Sequence, residues 1–90
     1  MITPHAGHRY SGRTAGHAFK AVQGMDWERV VILSPFHGYT NAELLTSAHR
    51  AYATPLGEIP VDGEALAELG VALQQVGGPH LTPAAYDPEH

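Results

Sequence analysis

Two histidines carry the clearest chemistry in this sequence. His5 lies in Thr3-Pro4-His5-Ala6-Gly7, and His37 lies thirty-two residues later in Ser34-Pro35-Phe36-His37-Gly38. In both segments a proline precedes the histidine and a glycine follows it. Imidazole binds iron, copper, zinc and nickel, so one interpretation is a metal ion shared by the two side chains. The other is that each is an ordinary surface histidine, hydrogen-bonded to the backbone.

Both histidines follow predicted strands. Residues 2–4 are typical of the end of one strand, and the β-branched run at 29–33 is typical of a parallel strand that is covered on both faces. Apolar spacing between them predicts a helix over 13–23, capped by Ser11 and ended by Gly24. This order describes a βαβ unit, in which the carboxyl ends of both strands meet at one sheet edge. We therefore expect His5 and His37 to lie close together.

The second half of the chain predicts short strands and one further helix. Strand candidates cover 43–48 and 50–54, and a turn at 55–58 leads to residues 59–61. Asp62 is a favourable N-cap for a helix that Gly77-Gly78-Pro79 would end. The apolar stripe of this helix comprises Leu66, Leu69, Leu73 and Val76. Everything after Pro79 is expected to be loop. The predicted fold class is α/β, a βαβ unit followed by short strands and a second helix.

Composition limits the classes of function. The chain has 90 residues, of which 43% are hydrophobic and 16% charged, which is typical of a single globular domain. Five Lys and Arg against nine Asp and Glu give a net charge of −4 without a basic run, which argues against nucleic-acid and membrane partners. There is no cysteine, and Met1 is followed directly by Ile2-Thr3-Pro4 without the features of a secretory signal. We expect a cytoplasmic location.

Two parallel strands and a hairpin would leave open sheet edges, which single domains avoid. We therefore expect residues 1–90 to form a single but incomplete domain. The missing layer would come either from further sequence or from another chain, as in a homo-oligomer that covers the open edges.

The remaining polar residues have ordinary explanations as well as functional ones. His8 is close enough to His5 to contact a metal ligand without binding the ion itself. Tyr10 either places its phenol near the site or covers the core. Ser11 suits a helix cap better than a nucleophile. Surface roles are expected for His17, His49 and His80. Asp87, Glu89 and His90 would form a solvated tail.

Four blocks of sequence resemble one family in order and spacing. They are residues 4–12 (PHAGHRYSG), 30–37 (VVILSPFH), 52–62 (YATPLGEIPVD) and the final Glu89-His90. These blocks are similar to those of the MEMO family, also called AmmeMemoRadiSam system protein B, over its N-terminal half. The resemblance implies a three-layer α/β/α sandwich like that of the LigB-like class III extradiol dioxygenases, of which this chain would hold part.

The same resemblance implies a metal site. It makes His5 and His37 metal ligands, with Fe(II) favoured and copper or zinc as alternatives, and it places His8, Tyr10 and His90 around them. A downstream cysteine completes the site in the family, and this chain has none. Ser34 stands where the family has glycine, and Phe36-His37-Gly38 replaces Ser-His-His. The third ligand and the substrate-binding residues are therefore unassigned.

Three functions follow from the resemblance. The first is a metal-dependent oxidoreductase of the dioxygenase type, acting on a small molecule. The second is a non-catalytic adaptor that binds a phosphorylated peptide. The third is an inactive fragment. Related sites host both catalysis and binding, so the resemblance leaves these functions open.

Overall fold

The computed structural model describes residues 1–84 of the chain. These divide into two compact units, Met1–His37 and residues 38–84. The elements are mixed helices and short strands, which confirms the α/β class. Within residues 1–84 no apolar side chain is fully buried. No helix in this part of the chain has the length and apolar character needed to cross a membrane.

The first unit contains one helix, α1 (His8–Ala21). It begins five residues before the predicted start at 13, because Gly7 rather than Ser11 is the N-cap. The Gly7 carbonyl accepts from the amides of Tyr10 and Ser11 at 2.8 and 3.2 Å. Ser11 therefore lies inside the first turns of α1, and its predicted capping role is wrong.

The half-buried face of α1 agrees only partly with the apolar spacing that predicted the helix. Ser11, Ala15 and Ala18 are half-buried, at intervals of four and three residues. Phe19, predicted for the same stripe, is 56% exposed. The partly covered face of α1 is thus narrow and consists of small side chains.

The strands predicted at 2–4 and 29–33 are not present. A strand is defined by hydrogen bonds to a neighbour, and neither segment pairs with another among residues 1–84. The βαβ unit predicted from these two strands is therefore absent from the first unit.

The second unit contains a two-stranded parallel sheet. Strands β1 (Leu44–Ser47) and β4 (Leu81–Ala84) pair from Leu44 opposite Leu81 to Ser47 opposite Ala84. The predicted strand at 43–48 is confirmed, whereas β4 lies where loop was predicted. Pro83 made that segment a poor strand candidate, but β4 has one neighbouring strand within residues 1–84, and proline is tolerated at a sheet edge.

The connection from β1 to β4 contains a β-hairpin. Strands β2 (Ala51–Thr54) and β3 (Gly57–Pro60) pair antiparallel around a two-residue turn. The hairpin was predicted, but with a longer turn over 55–58, two residues of which belong to β3. The Thr54 hydroxyl donates to the Gly57 carbonyl and accepts from the Leu56 amide, at 3.0 and 3.2 Å. Gly57 has φ of +131°, a conformation that side-chain-bearing residues rarely adopt.

The hairpin leads into α2 (Gly63–Gln75), which begins and ends as predicted. Asp62 Oδ1 accepts from the Ala65 amide at 2.9 Å, which satisfies one of the free donors of the first turn. At the other end Gly77, with φ of +68°, reverses the backbone, and the Gly78 amide donates to the Leu73 carbonyl at 2.8 Å.

The predicted apolar stripe of α2 is only partly covered. Leu66 and Leu73 are half-buried, but Leu69 is 45% and Val76 78% exposed. A Cβ added at Gly70 would lie 3.9 Å from Leu81 Cδ1, so helix and strand are in contact at this point. β1, the crossover helix α2 and β4 together supply the parallel arrangement that was expected earlier in the chain.

Candidate metal centre

The structure brings His5 and His37 together. Their ring centroids are 5.4 Å apart, with the ring planes tilted by 33°. Both residues belong to the same compact unit, and both are exposed to solvent. The proximity predicted from the two similar loops is therefore confirmed, although the flanking segments are not strands.

The loop that carries His5 is tied to α1. The Ser11 hydroxyl donates to the Ala6 carbonyl at 2.8 Å. This hydrogen bond joins the fourth residue of α1 to the residue that follows His5. Gly7 lies between them, and a Cβ added there would lie 3.9 Å from the Tyr10 ring. The start of α1 thus limits the backbone positions open to His5.

The spacing of the two rings suits a shared metal ion. With metal–nitrogen bonds of about 2.0–2.1 Å, two imidazoles on one ion have ring centroids roughly 4.5–5.3 Å apart. The observed 5.4 Å is close to that range. Within residues 1–84, however, no group of three or more His, Cys, Asp or Glu side chains could hold a metal. The centroid distance is therefore close to that of two histidines on one ion, and the described residues supply no third ligand.

The ring contact between His5 and His37 does not include His8 or Tyr10. His8 is the first residue of α1 and is exposed. Tyr10 is 82% exposed, with its ring beside Gly7, so its predicted alternative role in covering a core is wrong. His90, together with Asp87 and Glu89, lies outside the described residues.

A basic stripe on α1 was not anticipated. Residues 1–25 contain no acidic side chain but hold three of the five Lys and Arg of the chain. At 3.6 residues per turn, the stripe spans an arc of about 80°. We define it by its exposed members Arg9, Arg13, His17 and Lys20. The spacing of four, four and three residues indicates one face of a helix, but a search for consecutive basic residues overlooks it.

The full length of the chain matches one protein family. All 90 residues match the family model described as Memo-like protein. The chain belongs to the Memo-like protein family. The resemblance drawn from the four sequence blocks is thereby confirmed.

Individual relatives of this Memo-like chain come from archaea and animals. Over 69 residues it is 41% identical to a MEMO1 family protein of Nitrosopumilus maritimus, covering 77% of the chain and 25% of the relative. Over 70 residues it is 44% identical to the protein memo-1 homolog of Caenorhabditis elegans, covering 77% and 20%. Protein MEMO1 of Danio rerio is 38% identical over 69 residues, covering 77% and 23%.

The match thus spans about a quarter of the length of these relatives or less. No solved structure matches the chain.

Proposed function

We propose that this Memo-like chain contributes His5 and His37 to a metal site of a protein related to the non-haem iron dioxygenases. The observation that supports the proposal is the 5.4 Å separation of the two rings. The two residues are thirty-two positions apart in the sequence, so the contact depends on the fold. Membership of the Memo-like family agrees with the proposal but does not itself assign a metal or an activity.

Iron(II) is the proposed metal. The two histidines would hold it together with a third donor from outside the described residues, and such a site would leave positions open for a chelating substrate and O₂. The roles proposed for this chain's own residues are simpler. His5 and His37 bind the ion through one ring nitrogen each, and the Ser11 hydrogen bond to Ala6 orients the His5 loop. His8, Tyr10 and His90 are the proposed proton-carrying groups around the ligands.

The ligand assignment is tested by metal titration of the purified chain. Co²⁺ serves as a spectroscopic probe, and Fe²⁺ is titrated under anaerobic conditions. Loss of an outer hydrogen-bond partner of a metal ligand typically costs about 10–100-fold in affinity, so we expect His5→Ala and His37→Ala each to lose at least about 100-fold. Because both act on one ion, the double variant should lose less than the product of the two single losses.

Matched controls are available in the same chain. His17 and His49 are exposed histidines that do not take part in the ring contact, and their alanine variants should bind metal like the wild type. Single variants at His5 and His37 that retain wild-type affinity would contradict the shared site. If the loss of metal affinity in the double variant equals the product of the two single losses, each histidine binds its own ion.

Oxidoreductase activity is tested separately from metal binding. We expect the iron-loaded protein to consume O₂ when a catechol is added, and the His5→Ala variant to consume none. An iron-loaded protein that binds metal through both histidines but consumes no O₂ would favour a binding function.

The second candidate function is recognition of a phosphorylated peptide, which the basic stripe favours. Arginine side chains bind phosphate through paired hydrogen bonds, and no acidic residue occurs in the first 25 positions. Arg13→Gln should weaken binding of a phosphorylated peptide by about tenfold or more, as expected for loss of a charged hydrogen bond. Arg50→Gln, at an exposed position outside the stripe, is the control. Equal binding of the unphosphorylated peptide would count against this function.

A further inference from the structure

The basic stripe lies opposite the covered side of α1. At about 100° per residue, its four members occupy one arc of about 80°, and no other residue of the helix falls within that arc. Ser11, Ala15 and Ala18, which are half-buried, lie on the opposite side of the helix. The stripe therefore faces away from the side on which α1 packs.

The charge of the stripe is not compensated within the described part of the chain. Residues 1–25 contain no acidic side chain, and no member of the stripe forms an ion pair among residues 1–84. Lys20 Nζ donates to Gln23 Oε1 at 2.8 Å, but this side-chain amide is neutral. The stripe therefore presents positive charge to an anionic ligand.

The two ends of the stripe suit different anions. Arg9 and Arg13 are about one turn apart near the start of α1, where the helix macrodipole is positive. Guanidinium groups bind phosphate through paired hydrogen bonds, so this end suits a phosphate group. Lys20, in the last turn of α1, is a compact point charge that suits a carboxylate without a fixed geometry.

The distance between the two ends matches an extended peptide. The midpoint of the two arginines lies nine residues before Lys20, which is a rise of about 13.5 Å along the helix. In an extended peptide each residue spans about 3.3 Å, so residues four positions apart point to the same side and lie about 13 Å from each other. A phosphate and a carboxylate at that spacing reach both ends of the stripe.

Larger polyanions fit this chain less well. Residues 26–90 hold nine acidic side chains and two arginines, so the chain beyond the stripe repels nucleic acid and anionic membranes, whose charge extends past the stripe's length of about 17 Å. The arc of the stripe also contains no apolar side chain that would enter a membrane. A short peptide segment avoids the repulsion, because its charges lie only along the stripe.

We propose that the basic stripe binds an extended phosphopeptide that carries an acidic residue four positions from its phosphate. Arg9 and Arg13 bind the phosphate, and Lys20 binds the carboxylate. The proposal rests on the second candidate function, the recognition of a phosphorylated peptide, and adds the second anion that determines which phosphopeptides bind.

The test is a titration of the 90-residue chain, followed by NMR, with capped peptides of alanine, serine and glutamine that contain one phosphoserine. Two peptides carry a glutamate four positions before or four positions after the phosphoserine, and each is compared with a peptide that has glutamine there. We expect one of the two to bind about three- to fivefold more tightly than its glutamine counterpart, as is typical of an exposed ion pair. A glutamate next to the phosphoserine keeps the same net charge but points to the opposite side, and should gain less.

Variants of the chain locate the second anion. Lys20→Gln should remove the preference for glutamate and leave the glutamine peptides bound within about twofold of the wild type, whereas Lys20→Arg should keep the preference. Arg50→Gln, an exposed position outside the stripe, should change neither. Lys20 is exposed, so its replacement removes little packing, and circular dichroism checks that the helices remain.

The outcomes separate this proposal from the function on which it rests. Phosphate-dependent binding without a preference for glutamate would overturn the proposal and leave phosphopeptide recognition standing. Binding that does not depend on the phosphate would overturn both. A preference for glutamate that survives Lys20→Gln would contradict the assigned contact. Tighter binding of single-stranded RNA or of anionic vesicles, lost in Lys20→Gln, would assign the stripe to those partners instead.

Discussion

The capping of α2 by Asp62 permits a prediction whose magnitude follows from the structure. Asp62 Oδ1 accepts from the Ala65 amide at 2.9 Å, and its carboxylate lies at the positive end of the helix macrodipole. Replacement of a capping Asp by Ala typically costs about 0.5–2 kcal/mol of stability. For a domain of this size, 1 kcal/mol lowers Tm by about 4–8 °C.

Two substitutions separate the hydrogen bond from the charge. Asp62→Ala removes both, and we expect a loss of about 1–2 kcal/mol. Asp62→Asn keeps an oxygen that accepts from the Ala65 amide and removes only the charge, so the expected loss is about 0.3–1 kcal/mol. The measurement is thermal and urea unfolding followed by far-ultraviolet circular dichroism.

The control and the refuting outcome are both defined on the same helix. Glu68 is exposed in the middle of α2, so Glu68→Ala should change stability by less than about 0.5 kcal/mol. If Asp62→Ala unfolds like the wild type, the observed hydrogen bond does not stabilise α2. If Asp62→Asn is as destabilising as Asp62→Ala, the charge rather than the cap is responsible.

Three further predictions concern single residues elsewhere in the chain. Ser11→Ala removes the hydrogen bond to Ala6 and should cost about 0.5–1.5 kcal/mol and about tenfold in Co²⁺ affinity; unchanged metal affinity would show that this bond does not position the site. Gly57→Ala should destabilise the chain by about 1–3 kcal/mol because φ is +131°, even though a Cβ there meets nothing within 4 Å. Gly16 lies in the interior of α1, where an added Cβ also meets nothing within 4 Å, so Gly16→Ala should instead stabilise the chain by up to about 1 kcal/mol. Urea midpoints that shift in the same direction for both glycine variants would refute the strain argument. The Thr3 hydroxyl is buried without a hydrogen-bond partner among residues 1–84, so Thr3→Val should be neutral or stabilise by about 1–3 kcal/mol; a lower Tm would mean that the hydroxyl has a partner.

Local signals predicted the second unit well, except for its last strand. The Asp62 cap, the Gly77 reversal and the turn after Thr54 each act within a few residues, so the sequence alone locates α2 and the hairpin. β4 escaped prediction because its strand character depends on pairing with β1 and not on its own proline-containing sequence.

The first unit shows the opposite failure. The β-branched run at 29–33 has strong strand preference, yet it forms no strand within the described residues, because preference alone supplies no hydrogen-bonded neighbour. The start of α1 was placed five residues late, since a serine is a stronger capping signal than the glycine that the structure uses.

For the candidate site, the sequence by itself determined that two histidines, His5 and His37, lie in similar loops. Only the tertiary structure decided that the two rings lie 5.4 Å apart, that Ser11 holds the His5 loop, and that no third ligand joins them within residues 1–84. The physical reason is the sequence separation of the residues that interact. Caps and turns depend on neighbouring residues, whereas a shared metal site depends on the distance between side chains that the sequence separates by thirty-two positions.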